Sequence, residues 1–87
     1  MLEGIKTIHF VGIGGIGVSA AAKWCASKGK AVSGSDRARS AITDDLDRRG
    51  MAISIGHDAG NVPAGTELVV YSPAVPASNA ERVRGAE

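Results

Sequence analysis

The sequence predicts an α/β fold in which an open parallel sheet carries helices on both faces. β-rich segments alternate with amphipathic helical segments along the chain, and this is the pattern of strand–helix–strand crossovers. Twelve glycines suit such a unit, because its tight turns need glycine. With 87 residues, of which 44% are apolar, the chain has material for one small domain, which we place at residues 1–87.

The first strand and helix are the most strongly patterned. Thr7–Val11 is a short β-rich run that ends at Gly12, and this predicts a buried parallel strand. Ile16–Lys28 is predicted to be a helix, and Gly29 is placed to end it in the left-handed conformation. Its apolar stripe is predicted at Val18, Ala21, Ala22 and Cys25.

The middle of the chain predicts a second crossover. Ala31–Gly34 is a weak second strand that closes at Ser35 and Asp36. A helix is expected over Ser40–Arg49, because Ser40 can cap its start and the charges along it complement the helix dipole. Met51–Ile55 is the third predicted strand.

The last third predicts a loop over Gly56–Gly65, a fourth strand over Leu68–Tyr71 and a Pro-punctuated loop over Ser72–Ser78. Asn79 can cap a third helix, which Glu87 cuts short. Such a helix returns to a fifth strand, so we expect a sheet truncated before its last strand and a chain cut from a longer protein. The open sheet edge is then a possible route to self-association.

Charge and composition exclude several classes of protein. The net charge of +1 gives no basic footprint for nucleic acid, and no apolar run reaches the roughly 18–20 residues of a membrane span. No secretory pattern follows Met1. Cys25 is the single cysteine, so an internal disulfide is impossible and a cytoplasmic location is expected. His9 and His57 are too few for a metal cluster, so no metal site is expected.

The loop from Gly12 to Gly17 matches the pattern G-x-G-x-x-G directly after a buried strand and at the start of a helix. In that setting Gly12 allows the tight turn, Gly14 lets the backbone approach a diphosphate and Gly17 lets the helix pack close to the strand. The N–H groups at the helix start can then bind phosphate. The fold is therefore predicted to be Rossmann-like. The alternative is a Gly-rich turn that binds nothing.

Asp36 lies 19 residues after Gly17, at the end of the second strand, where a carboxylate can accept hydrogen bonds from ribose hydroxyls. The alternative is a solvated turn residue. Arg37 and Arg39 are candidates for phosphate contacts, or are simply solvated charges. Gly29-Lys30 does not belong to a Walker A sequence, so no ATP phosphate loop is expected in this chain.

Several segments together resemble the Mur ligase family of peptidoglycan synthesis, in order and at the expected spacing. The resemblance covers essentially the whole chain and is more specific than the glycine loop alone. The matching segments are Ile8–Ser19, Val32–Asp36, Ile55–Ala59 and Val69–Pro76, followed by Asn79 and Glu81.

The resemblance implies a three-domain ligase of which this chain is the first domain. In that family the first domain binds the UDP part of UDP-N-acetylmuramate, the central domain binds ATP and magnesium, and the last receives the incoming L-alanine. The muramate carboxylate is phosphorylated and the amine then attacks to form an amide. The resemblance therefore implies no cofactor and no catalytic residue in this chain, and the isolated chain is expected to be inactive.

The resemblance also implies which residues bind the UDP-sugar. All lie where strands are predicted to end, which is where open α/β sheets bind ligands. His57 is placed near the uridine, although a turn histidine fixed by Asp58 is an equal alternative. The implied residues are Gly14, Gly15, Ile16, Gly17, Ser35, Asp36, His57, Ser72, Pro73 and Ala74.

Two other functions fit the same residues. An NAD(P)-binding domain of a dehydrogenase would use the same glycine loop and Asp36, but the slim helix after the loop and the Ser72–Ala74 loop favour the ligase. A non-catalytic nucleotide-binding module would keep the fold without ligation. A coding sequence that continues into a Gly-Lys-Thr P-loop would argue against that module.

Overall fold

Four parallel strands form one sheet in the computed structural model, which describes residues 3–72 and residue 79. Their spatial order is β3-β2-β1-β4. Helix α1 connects β1 to β2, α2 connects β2 to β3, and a 3₁₀ turn lies between β3 and β4. The bounds are β1 Thr7–Val11, α1 Ile16–Ser27, β2 Ala31–Asp36, α2 Ala41–Arg48, β3 Ala52–Ile55, the 3₁₀ turn Ala59–Asn61 and β4 Leu68–Tyr71.

The predicted α/β class and parallel sheet are confirmed. The two α-helices of the described residues lie on one face of the sheet, because they contact each other and their right-handed crossovers advance in the same direction. A helix on the other face stays a prediction. The helix predicted after Asn79 lies outside the described residues. Strands β3 and β4 are the outer strands of the described sheet, and pairing between chains through such an edge stays a prediction.

The end of α1 and the start of α2 are capped as their sequences predict. Gly29 adopts φ +80°, and its N–H bonds the carbonyl of Ala26 at 3.0 Å. Ser40 caps α2: its hydroxyl accepts from the N–H of Thr43, and the Thr43 hydroxyl in turn accepts from the N–H of Ser40 at 2.8 Å. This reciprocal pair satisfies N–H groups that a helix start otherwise leaves unbonded.

The helix-covered face of the sheet is apolar. Ile8 and Phe10 of β1 pack with Val32 of β2 against Ala22 and Leu46, and all five are buried. The predicted stripe on α1 is correct for Ala22 and Cys25, but Ala21 is exposed and Ser19 is buried in its place. Ser19 is tolerated there because its hydroxyl donates to the carbonyl of Ile16 at 3.0 Å.

The opposite face of the sheet carries buried polar side chains. His9 and Ser33 lie side by side on β1 and β2, with Nδ1 of His9 2.8 Å from the Ser33 hydroxyl. Ser35, two residues further along β2, is also fully buried. The segment that looked like a weak strand is the longest of the four, because its serines find hydrogen-bond partners on neighbouring segments.

Within residues 3–72, no helix is long and apolar enough to cross a membrane.

Candidate functional site

The glycine loop is fastened onto the end of β2. Gly12 adopts φ +78°, which confirms the tight turn predicted there. The chain then turns so that the N–H groups of Gly12 and Ile13 both donate to the carbonyl of Ser35, each at 2.9 Å. The loop is therefore positioned by the carboxyl edge of the sheet, meaning the side on which the parallel strands end. Open α/β folds bind ligands on this side.

The start of α1 presents three N–H groups for an external acceptor. Gly15 donates to the carbonyl of Gly12 at 3.1 Å, and Ser19 donates back to Gly15 at 2.8 Å. Between them, the N–H groups of Ile16, Gly17 and Val18 have no acceptor among the described residues. Unpaired N–H groups at the positive end of a helix dipole are suited to a phosphate or diphosphate.

Gly14 has a packing role in the fold, and its predicted role in letting a diphosphate approach the backbone stays a prediction. Its N–H donates to Oδ2 of Asp36 at 2.8 Å. A Cβ on Gly14 would lie 2.7 Å from that oxygen and 3.2 Å from Cγ2 of Thr43. The missing side chain therefore makes room for the Asp36 carboxylate and for α2.

Gly17 does not show the predicted packing role, since a Cβ there would meet no described atom within 4 Å. Its open side faces outward at the helix start. The glycine that does permit close packing is Gly34 in β2, where a Cβ would lie 2.8 Å from Cβ of Ile13 and 2.9 Å from the carbonyl of Phe10. Sequence reasoning missed Gly34, although a glycine inside a strand indicates a close backbone approach.

Asp36 connects three parts of the carboxyl edge. Besides the Gly14 contact, its Oδ1 accepts from the N–H of Arg37 at 2.7 Å, and its main-chain carbonyl accepts from Gly56 at 2.8 Å. Each oxygen of this carboxylate therefore accepts one backbone N–H in this structure. The predicted ribose contact of Asp36 stays a prediction.

His57 is brought to the same edge by the turn after β3. Its Nδ1 lies 3.2 Å from the hydroxyl of Ser35, which is fully buried. Asp58 caps the 3₁₀ turn by accepting from Gly60 at 2.7 Å. The structure thus places two of the predicted site residues, Ser35 and His57, within hydrogen-bond distance.

The remaining candidates are distributed unevenly. Ser72 is half-buried and follows β4, whose Tyr71 pairs with Val11 directly before the glycine loop. Pro73 and Ala74 lie outside the described residues. Ile16 is 83% exposed at the helix start, so an apolar side chain borders the unpaired N–H groups.

Of the two arginines that follow Asp36, Arg39 forms an exposed ion pair with α2, and its phosphate contact stays a prediction. Its Nη1 lies 3.0 Å from Oδ1 of Asp44 in the first turn of α2. This pair is exposed, so it contributes little to stability. Arg37 is exposed, and its phosphate contact stays a prediction.

Potential metal ligands lie apart from one another in the described part of the chain. Within the part of the chain that the structure describes, no three His, Cys, Asp or Glu side chains come together in a potential metal site. The glycine loop also lacks the Lys-Ser/Thr pair that holds ATP phosphates and magnesium in a P-loop. No chemical step is therefore assigned to a metal or to ATP in this chain.

Comparison with known proteins identifies the family. Residues 7–87 match the family model described as "Mur ligase family, catalytic domain". Over 77 residues the chain is 53% identical to UDP-N-acetylmuramate–L-alanine ligase of Burkholderia cenocepacia and 52% identical to that of Burkholderia ambifaria. Each match covers 88% of this chain and 16% of the relative, so the chain spans about a sixth of their length.

A solved structure agrees with the sequence matches. The crystal structure of UDP-N-acetylmuramate–alanine ligase from Thermotoga maritima superposes with a TM-score of 0.87 at 42% identity. The match covers 92% of this chain and 18% of that one. On these similarities of sequence and fold, the chain belongs to the Mur ligase family.

Proposed function

We propose that this chain binds the UDP portion of UDP-N-acetylmuramate at the carboxyl edge of its sheet. The observation that carries the proposal is the set of three unpaired N–H groups on Ile16, Gly17 and Val18 at the positive end of α1. A diphosphate has the charge and the acceptor oxygens that such a helix start binds. The rest of the ligand is inferred from the related ligases, whose names state that they act on UDP-N-acetylmuramate.

The nucleoside is proposed to lie toward β2 and β3. Ser35 and His57 meet there, and Asp36 ends β2 beside them. Ser72 follows Tyr71, whose strand partner Val11 directly precedes the glycine loop. On this account the isolated chain holds substrate without joining L-alanine to it, and acts in the cytoplasm as part of a longer ATP- and magnesium-dependent ligase.

Calorimetric titration of the 87-residue protein with UDP-N-acetylmuramate, UDP, NAD and NADP tests the proposal. We expect binding of the two uridine nucleotides and no binding of the two nicotinamide dinucleotides. Binding of NAD or NADP alone would support the dehydrogenase function instead. If none of the four ligands binds, the chain is not a self-sufficient UDP-sugar site and the proposal fails.

A substitution at Gly17 tests the location of the diphosphate. Helical Cβ atoms tilt toward the helix N-terminus, so the Gly17→Val side chain would project into the space where the phosphates are proposed to lie. Because no described atom lies within 4 Å of that position, the fold is expected to be unaffected. We expect UDP affinity to fall at least about tenfold, as for loss of one or more charge-assisted hydrogen bonds.

Gly4→Val is the matched control, since a Cβ on Gly4 also meets no described atom within 4 Å and Gly4 lies outside the site. It should leave UDP affinity unchanged. Equal affinities for wild type and Gly17→Val would place the diphosphate elsewhere.

A further inference from the structure

We propose that Asp36 is a positioning residue that holds the glycine loop in its binding shape, and that it does not itself bind the ribose. The diphosphate then docks only on the N–H groups of Ile16, Gly17 and Val18. This inference rests on the proposed function, because it assigns roles within the UDP site.

Both oxygens of the Asp36 carboxylate already accept a backbone N–H inside the protein. Oδ2 of Asp36 accepts from Gly14 at 2.8 Å, and Oδ1 accepts from Arg37 at 2.7 Å. Hydrogen bonds from N–H groups to an ionised carboxylate are shorter and stronger than those between neutral groups. A ribose hydroxyl would have to share one of these oxygens with a backbone N–H.

The Asp36 carboxylate is also packed tightly against the glycine loop. The carboxylate approaches the loop so closely that Gly14 has no space for a side chain on that side. Cγ2 of Thr43 closes the same space from α2, and Thr43 is fully buried. The fit of Gly14, Asp36 and Thr43 is therefore a packed contact within the fold.

The hydrogen bonds of the glycine loop also fix its path. Gly12, Ile13 and Gly14 are consecutive, and all three of their N–H groups donate to the end of β2, the first two to the Ser35 carbonyl and the third to Asp36. These bonds fix the direction in which the chain enters α1. They thereby fix where the unpaired N–H groups of the first helical turn point.

The charge of Asp36 also disfavours a diphosphate at Gly14. A diphosphate placed on the Gly14 N–H would bring a second anion against the Asp36 carboxylate, and like charges at that separation repel. The next N–H groups along the chain avoid this conflict because they belong to the helix start, where the dipole favours an anion. The geometry therefore assigns Gly14 to Asp36, and Ile16, Gly17 and Val18 to the ligand.

The test compares UDP with uridine, which lacks the phosphates, on wild type, Asp36→Ala and Asp36→Asn. A positioning role predicts that Asp36→Ala lowers UDP affinity about tenfold, the effect of losing one hydrogen bond to a charged group, and changes uridine affinity less than about twofold. Asp36→Asn should recover most of the UDP affinity, because its amide oxygen can still accept from Gly14. If Asp36→Ala does not fold, the affinities for UDP and uridine are compared on Asp36→Asn and wild type.

Two results of this test would overturn the inference. Equal losses for uridine and UDP would make Asp36 a ribose ligand. A gain in UDP affinity on Asp36→Ala would show that the carboxylate competes with the diphosphate for Gly14.

A ligand-free measurement separates this inference from the proposed function. Amide hydrogen exchange at Gly14 should be faster in Asp36→Ala than in wild type and close to wild type in Asp36→Asn. Unchanged exchange in Asp36→Ala would refute the positioning role even if UDP binds. If wild type does not bind UDP, the proposed function fails while the exchange result still decides what Asp36 does to the loop.

Discussion

The two edges of the sheet each place one carboxylate on the backbone N–H groups of a neighbouring segment. At the carboxyl edge, Asp36 accepts from Gly14 and joins the glycine loop to β2. At the amino edge, the side on which the strands begin, Oε1 of Glu67 accepts from the N–H of Lys6 at 2.7 Å and from the N–H of Thr7 at 3.2 Å. These bonds join the start of β4 to the start of β1. The same chemistry fastens the structure at both ends.

The edges differ in what remains unbonded. At the amino edge the bonds close on one another: the Thr7 hydroxyl donates to the carbonyl of Gly65 at 2.9 Å and accepts from the N–H of Glu67 at 3.1 Å. At the carboxyl edge the N–H groups of the glycine loop are bonded within the protein as far as Gly15. The next three N–H groups have no acceptor among the described residues. Backbone N–H groups that are all bonded within the protein stabilise the fold, whereas unpaired N–H groups at a helix start are available to a ligand.

The largest expected effect comes from Gly34→Ala, which breaks the packing beneath the carboxyl edge. A Cβ there would press on the backbone carbonyl of Phe10 and on the branched Cβ of Ile13, neither of which can swing away. We expect a loss of about 3 kcal/mol in the free energy of unfolding, at the upper end for an overpacked core. Urea denaturation measures it, with Gly4→Ala as the control that should cost little. A loss below about 0.5 kcal/mol, the level of ordinary surface changes, would contradict the close packing.

A smaller effect is expected for Gly14→Ala, because the crowded neighbour is the end of the Asp36 side chain and can move. We expect a loss of about 2 kcal/mol in unfolding free energy, with weaker UDP binding because the loop loses its tie to β2. The same urea titration, together with calorimetry, checks both quantities. Stability equal to wild type would show that Asp36 rearranges freely and that the tie is weak.

The smallest effect is expected at the amino edge, from Glu67→Gln. Hydrogen bonds from the backbone N–H of Lys6, and then of Thr7, hold the pKa of Glu67 below its usual value of 4.5. A lowered folded-state pKa contributes stability above the usual pKa, and this contribution is lost as the pH falls through the folded-state value. The variant should therefore melt below wild type at pH 7, with a difference that shrinks under acid conditions.

Thermal melts across that pH range check this prediction, with Asp47→Asn on the exposed surface of α2 as the control. UDP affinity should be unchanged in Glu67→Gln, since the amino edge lies away from the proposed site. A melting difference that does not depend on pH, or a loss of UDP affinity, would contradict the division between the two edges.

Most of the fold is predictable from local patterns. The run Thr7–Val11 followed by glycine, the helix closed by Gly29 and the Ser40 cap each involve residues within a few positions of one another. Strand β2 was predicted too short, because its serines are stabilised by cross-strand partners. Ser33 meets His9, which is 24 positions away, and Ser35 meets His57, which is 22 positions away.

The site is predictable in location but only partly in its contacts. The pattern G-x-G-x-x-G indicated a helix start at a strand end, and the structure has one there. It did not indicate that Asp36 turns back 22 residues onto Gly14, or that Gly34 takes the packing role expected of Gly17. These contacts depend on the register of β2 against β1, which sequence spacing alone does not specify.

Amide NMR of the 87-residue protein during titration with UDP tests the division between the edges most directly. We expect the largest shifts on Ile16, Gly17 and Val18, smaller shifts at Ser35, and no shifts at Thr7 and Glu67. Shifts of equal size at the two edges, or shifts centred on Thr7 and Glu67, would contradict this division.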